Sequence, residues 1–244
     1  MTYCVAMCLD EGMLFASDSR TNAGVDHVST FSKMTVLEQP GERALVLLNA
    51  GNLATTQAVV STLKKRLHAD APNLMNAASM FDVAREVGDA IVEVIHHRSG
   101  PVQAAGAVDF SCNFLVGGQI AGEHPRLFLV YPEGNFIETT SDTCYFQIGE
   151  SKYGKPIIDR VVKPQTRLDE AVKCALVSFD STMRSNLSVG LPLDVAMLRR
   201  DALAIGFRHR VDVDDDYFGS IRRGWGEGLR RVFNELPRPD WLRF

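Results

Sequence analysis

The sequence predicts an α+β fold in which antiparallel sheets are covered by helices. Three observations predict it. Strand-like and helix-like segments come in separate runs (strands, two helices, strands, two helices, strands), which favours antiparallel sheets with helices in outer layers over a doubly wound parallel sheet. Apolar runs at 44–48 and 127–130 are nearly continuous, as in strands buried on both faces. Clusters of Gly, Pro, Asp and Glu punctuate the strand-like runs at the places where tight turns need them.

Residues 3–9 and 13–18 read as strands joined by Asp10-Glu11-Gly12, a hairpin. Pairing around that turn sets position 2 opposite roughly positions 19 to 21, so Thr2 and Asp18 share one end of a ribbon. A second hairpin runs through 33–38 and 43–49, turning at Gln39-Pro40-Gly41-Glu42 with Pro and Gly where a type II turn wants them. That pairing faces Lys33 with Leu48 and brings Asn49-Ala50-Gly51 out beside the lysine. An amphipathic helix follows over 53–68, with Leu53, Val59, Val60, Leu63 and Leu67 at spacings near three and four. Asp70-Ala71-Pro72-Asn73 breaks it. A second helix covers about 77–98 and ends at His96-His97-Arg98-Ser99-Gly100-Pro101, basic residues followed by Gly and Pro. Strands are expected at 113–121, 126–131, 135–139 and 143–148, helices at about 151–162 and 168–185, and strands near 194–200 and 205–213.

With 244 residues, 45% apolar and 23% charged, the chain can bury a sizeable core and is expected to form one domain. A net charge of −4 supplies no basic field, which argues against nucleic acid as the main partner. The cysteines at 4, 8, 112, 144 and 174 are odd in number and include no Cys-x-x-Cys pair, so a disulfide framework and a zinc ribbon are both disfavoured. The first apolar stretch is short, lacks a basic leader and is interrupted by Asp10 and Glu11, which does not read as a signal peptide. No run approaches the ~18 apolar residues that span a bilayer. A soluble, cytoplasmic protein with no membrane partner and no cofactor is expected.

The first two residues carry the sharpest chemical suggestion. If Met1 is removed, Thr2 holds a hydroxyl nucleophile and a free α-amino group on one residue, and can be nucleophile and base together. The α-amine, with a reference pKa of about 7.7 to 8, accepts a proton near neutrality where a lysine at about 10.4 does not. If Met1 stays, its peptide bond consumes the amine and that mechanism fails.

Several segments together carry a family likeness: Thr2-Tyr3-Cys4-Val5-Ala6, Ala16-Ser17-Asp18-Ser19-Arg20-Thr21-Asn22-Ala23-Gly24, Lys33-Met34 and Asn49-Ala50-Gly51-Asn52. The chain resembles the proteasome-type N-terminal-nucleophile hydrolases, most closely their bacterial ancestral beta-subunit branch. This resemblance implies a four-layer α/β/β/α sandwich of two antiparallel sheets flanked by helices. It also implies a catalytic set. Thr2 would be the nucleophile, Lys33 a cation lowering the hydroxyl pKa, Asp18 the carboxylate holding that ammonium, and Gly51 the oxyanion-hole N–H. Thr21, Asn49 and Leu53 resemble pocket-lining positions for the substrate residue before the cleaved bond. Arg20 either joins the charge network or forms a structural salt bridge.

Two departures from the family pattern stand out. Active proteasome subunits carry Ser-Gly-Gly in a late loop with an Asp three residues before the serine. Here Ser185-Asn186-Leu187-Ser188-Val189-Gly190 matches the serine with Ser188 and replaces the aspartate with Ser185. An earlier Gly-Ser-Gly is represented by Gly149-Glu150-Ser151, with the alignment of Glu150 and Ser151 open. Ser188 is the first candidate to hydrogen-bond the Thr2 amine and Ser151 a weaker one, and low or narrowly directed activity is expected.

The favoured function is a threonine-type peptidase or amide hydrolase working through an acyl-enzyme. An amidase or amide-transfer enzyme on a small or modified peptide, and a self-assembling scaffold with little turnover, are the alternatives. The substrate partner would be a peptide or amide. The apolar tail Trp225–Phe244 either covers its own core or docks on a neighbour, and a large homo-oligomer, ring or open spiral, is expected. Asp212-Val213-Asp214-Asp215-Asp216 reads as a solvated acidic turn sooner than a cation site, Cys4 and Cys8 as core residues, and Gly224-Trp225-Gly226-Glu227-Gly228 as no nucleotide loop.

Overall fold

Seventeen elements make up the residues described by the computed structural model, which are 1–22, 28–69, 71–99 and 109–241. Ala23, Gly24, Asp70, Gly100, Pro101, Leu242 and Phe244, invoked above, lie outside them. The strands are β1 (Tyr3–Leu9), β2 (Gly12–Asp18), β3 (Arg20–Asn22), β4 (Val28–Thr30), β5 (Met34–Gln39) and β6 (Arg43–Gly51). After helices α1 (Leu53–Arg66) and α2 (Met80–Ser99) come β7 (Cys112–Ile120), β8 (Arg126–Val130), β9 (Phe136–Glu138) and β10 (Tyr145–Gly149). Helices α3 (Lys155–Val161) and α4 (Leu168–Ser185), strands β11 (Leu193–Arg199) and β12 (Phe207–Val211), and helix α5 (Asp216–Glu235) complete the order.

Two five-stranded sheets form, β10-β1-β2-β11-β12 and β5-β6-β7-β8-β9, with β3-β4 a small ribbon. Side-chain alternation explains why they stack. Along β1, Cys4 and Ala6 face Phe15, Val46, Leu48 and Leu115 in a core between the sheets. Their neighbours Tyr3, Val5 and Met7 face Leu176 and Phe179 of α4. The far side of the second sheet packs Leu45, Leu47, Phe114 and Val116 against Val59, Val87 and Ile91 of α1 and α2. Three apolar layers therefore separate four layers of structure, the α/β/β/α sandwich.

The two N-terminal hairpins follow the predicted course with one difference. In the first, Cys4 pairs with Ser17 and Leu9 with Gly12, so the ladder extrapolates Thr2 to Ser19. In the second, Met34 pairs with Leu48, one residue off the expected register. Gln39 pairs with Arg43 and the Glu42 N–H returns to the Gln39 carbonyl at 2.9 Å, with Gly41 at φ 80°. The type II turn forms as expected, but Glu42 is an extra loop residue and shifts the pairing so that Lys33 meets Asn49.

Helix bounds are set by caps. Ser79 Oγ accepts the Asp82 N–H at 3.1 Å, which starts α2 three residues later than periodicity alone suggests. Asn52 Oδ1 accepts the Thr55 N–H at 3.1 Å and starts α1. Pro156 suits the first turn of α3, which begins only at Lys155. The helix α5 is not foreseen by the sequence reading. Asp215 caps it through the Phe218 N–H at 2.7 Å, Phe218 is buried, and Arg222 Nε reaches the buried Asp180 Oδ1 of α4 at 3.0 Å. From Leu229 onward its apolar residues are exposed. The acidic run forms an exposed turn over 212–214, as expected, that leads into the Asp215 cap and the start of α5 at Asp216, and the Gly-rich 224–228 segment is helical. Among the described residues no helix is long and apolar enough to cross a membrane.

Phe15 is fully buried between the sheets, and a Cβ at Gly117 would fall 2.7 Å from its ring. Phe15→Ala is expected to cost about 3 to 5 kcal/mol, read as a lower denaturation midpoint at matched protein concentration.

Candidate active site

Both hairpins end at the same corner of the sandwich, where chain direction and hydrogen bonding fix Thr2. The Tyr3 N–H donates to Asp18 Oδ1 at 3.0 Å, and the Glu150 N–H donates to the Thr2 carbonyl at 2.7 Å. Thr2 is therefore held by its flanking peptide groups on β2 and on the end of β10. Asp18, the last residue of β2, is fully buried and receives Lys33 Nζ on the same Oδ1 at 2.6 Å. Lys33 Nζ also donates to the Arg20 carbonyl at 2.8 Å. Burial raises the Asp18 carboxyl above its ordinary pKa, and the Lys33 ammonium opposes that rise.

Lys33 is itself placed by Asn49. The Asn49 N–H and its Nδ2 both donate to the Lys33 carbonyl, at 3.0 and 3.1 Å. The amide that the sequence suggested for substrate contact is thus spent, on its nitrogen, in positioning the lysine. Asn49 still borders the cleft.

A cleft of about 330 Å³ opens at this corner, lined by Thr2, Thr21, Lys33, Asn49, Gly51 and Leu53 together with Met1, Ala50, Thr56 and Gly149. Every residue proposed as nucleophile, oxyanion donor or pocket wall therefore borders one space, with Asp18 behind Lys33. At Gly51 φ is 118°, and a Cβ would sit 2.4 Å from the Ser111 carbonyl oxygen. Only glycine fits there. The Asn52 N–H goes to Ser111 O on the β7 side and the Asn49 N–H to Lys33 O on the β5 side. Alternation then aims the Gly51 N–H to the β5 side, beyond the point where β5 begins and next to the cleft.

The proteasome family profile, described as proteasome subunit, matches residues 2–198. The chain belongs to the proteasome family. Solved Anbu structures (Anbu being the ancestral beta-subunit) align over its full length. That from Yersinia bercovieri is 57% identical, covering 99% of this chain and 100% of the other at a TM-score of 0.92. The protein from Pseudomonas aeruginosa, described as a helical assembly of the Anbu complex, is 52% identical over 98% of each chain at 0.93. Anbu from Hyphomicrobium sp. strain MC1 is 48% identical over 98% and 99% at 0.89. No protein in the curated comparison matches.

Within this proteasome-family fold three expected residues fall differently. Ser188 does not line the cleft: its N–H is held by Asn186 Oδ1 at 3.0 Å, and among the described residues no hydrogen bond joins its hydroxyl to Thr2. Ser151 lines a different, larger cleft of about 690 Å³ on the outer side of β10, beside the exposed Lys155–Asp159 pair. That space is bigger but holds none of the Thr2 partners, so size does not make it the reactive site. Arg20 contributes its carbonyl to Lys33, while its guanidinium donates to Leu187 O at 3.1 Å and packs on Gly190. Neither alternative foreseen for it, a shared charge network or a salt bridge, is formed among the described residues. Cys4 is buried between the sheets, donating to Asn49 O at 3.5 Å, and burial pushes its thiol pKa up; the Cys8 thiol is pushed up to about 11. Both are poor nucleophiles.

Sequence reasoning missed Thr56, and it noted Gly149 only as part of a family motif, not as a wall of the Thr2 cleft. Thr56 follows Leu53 by one helical turn, a spacing that was readable. Gly149, whose φ is 84°, abuts Thr2 so closely that a Cβ would meet the Thr2 carbonyl oxygen at 2.0 Å, a contact between distant segments that the motif by itself does not give.

The opposing effects on Asp18 give a titration prediction. Its side-chain carbon resonance should titrate with a midpoint above the ordinary ~3.9, and Lys33→Met should raise that midpoint further, because the group that lowers it is gone.

Proposed function

We propose that, after removal of Met1, the chain is an N-terminal threonine hydrolase of amide bonds, with peptide as the favoured substrate. The observation that carries this reading is the convergence of Thr2, Lys33 and Gly51 on one cleft with Asp18 bonded to Lys33 behind them. Thr2 Oγ attacks the scissile carbonyl carbon while its proton passes to the Thr2 α-amine. The Lys33 ammonium offsets charge building on Oγ, and the Gly51 N–H receives the oxyanion. Collapse breaks the C–N bond, the departing nitrogen takes the proton from the α-ammonium, and an ester on Thr2 remains. Water, deprotonated by the same amine, then attacks the ester and frees Thr2.

The Met1 side chain, 63% exposed at the mouth of the cleft, is compatible with access by an aminopeptidase. Intact-mass measurement should find the chain one methionine short, and an electrophilic peptide should label Thr2. Thr2→Ala abolishes the label, and Lys33→Ala slows labelling by about 10²- to 10³-fold, the loss typical of a preorganised electrostatic group. A processed, accessible Thr2 that no amide or electrophile modifies would leave the scaffold reading in its place.

We also propose that the chain assembles with copies of itself through α5. Leu229, Val232, Phe233 and Leu236 recur at helical spacing and are each more than half exposed, with Phe233 at 75%. These four residues are left uncovered by the chain's own core. The helical assembly described for the Pseudomonas relative supports a second copy as the occupant. Val232→Asp with Phe233→Asp should reduce the sedimenting particle to smaller species without changing far-ultraviolet circular dichroism.

A further inference from the structure

Glu150 is a largely buried acid whose one ion-pair partner among the described residues is distant. Its side chain is 4% exposed; Oε2 accepts Asn186 Nδ2 at 3.0 Å, and the nearest cation to Oε1 is Lys152 Nζ at 3.8 Å, on a side chain 78% exposed. A carboxylate with so little access to water is favoured by a closer cation. Its backbone N–H is the one that holds the Thr2 carbonyl, so the carboxylate belongs to the residue directly opposite Thr2 in the extended β1–β10 ladder.

We propose that the missing cation is the α-ammonium of Thr2 created when Met1 leaves, and that Glu150 is the positioning residue for that amine. This rests on the N-terminal-threonine reading. The Glu150 carboxylate holds the amine beside the Thr2 hydroxyl, and Asn186 ties the same carboxylate to the Ser188 backbone. The other charges around Thr2 are accounted for in turn. Asp18 on β2 and Lys33 before β5 neutralise each other and Lys152 extends into solvent, while Arg20 on β3 donates Nη1 to Leu187 O, packs on Gly190 and leaves its buried Nε without a partner among the described residues, so it is the other cation of this corner. Ser185, at the end of α4, is exposed and carries no charge, so the acid in this neighbourhood comes from the early loop. An adjacent carboxylate favours the ammonium form, and the amine becomes a free base only at higher pH than an ordinary N-terminus.

The test uses the processed full-length protein. Competitive acetylation of the Thr2 amine across pH, read by mass spectrometry of the N-terminal peptide, yields its pKa without any turnover. In the native protein the pKa should exceed the ordinary value of about 8. Glu150→Gln should lower it by about one unit, leaving roughly tenfold more free amine at the acid side of the titration, and should move the acid limb of Thr2 labelling by the same amount. Should the glutamine variant not fold, Glu150→Ser must produce the same fall. Coincident titrations of native and variant protein overturn the inference. Because acetylation needs no catalysis, a Glu150-dependent amine on a protein that never forms an acyl-enzyme would uphold this assignment while rejecting the hydrolase reading. The converse result, Thr2 labelling with an amine indifferent to Glu150, would do the reverse.

Discussion

The corner of this molecule depends on one buried ion pair. Asp18 comes from the first sheet and Lys33 from the connection into the second, so their 2.6 Å contact ties the two sheets where the sandwich would otherwise be open. The same Oδ1 takes the Tyr3 N–H and thereby fixes the direction in which the chain leaves Thr2. Removing one partner would strand the other charge in a place with almost no water, an arrangement that typically costs about 3 to 5 kcal/mol. The pair is thus expensive to break, and it holds a cation at the cleft that Thr2 also lines. Asn49 serves the same end from the second sheet, holding the Lys33 main chain with two donors.

How much of this the sequence discloses follows from the range of the interactions. Hairpins and caps are local, so β1 and β2, the type II turn at Pro40-Gly41 and the extent of α4 are readable from neighbours along the chain. The shift that brings Lys33 opposite Asn49 shows the limit even there, because whether Glu42 belongs to the loop or to the ladder is decided by three-dimensional twist. Grouping Thr2, Asp18, Lys33 and Gly51 at one end needed only two hairpins. The likeness to a known family supplied their proposed roles and the pocket positions Thr21, Asn49 and Leu53. Pairings across long separations were not readable: β11 lies against β2, with Leu193 opposite Asp18, and the Pro192 carbonyl accepts both the N–H and hydroxyl of Ser19. Nor was α5, since Gly219, Gly224, Gly226 and Gly228 lower helix propensity by up to about 1 kcal/mol each. There the Asp215 cap, the buried Phe218 and the Asp180–Arg222 contact override the local preference.

The late loop is where analogy and geometry part. Matching letters singled out Ser188 and Ser151, yet the first is restrained through its backbone and the second faces another cleft. Glu150 instead occupies the position hydrogen-bonded to Thr2. On the assignment proposed for Glu150, a carboxylate beside the amine keeps it protonated to higher pH, so less of it is free to accept the Thr2 proton near neutrality.

Helix α4 joins this arrangement to the unpartnered helix α5. Its cap residue Asn186 holds the Glu150 carboxylate, and six residues earlier Asp180 is clamped between Arg184 on its own helix and Arg222 on α5. At 1.5 Å per residue the two anchor points lie about 9 Å apart along one rigid element. Asp180 is fully buried with both arginines at 3.0 Å, so α5 cannot swing without either breaking a charged contact or moving α4. The apolar stripe from Leu229 to Leu236 is consequently presented in a fixed orientation relative to the cleft. A copy seated on that stripe, as proposed, would bear on the same helix whose cap residue holds the Glu150 carboxylate, and the two proposals would then share a single support.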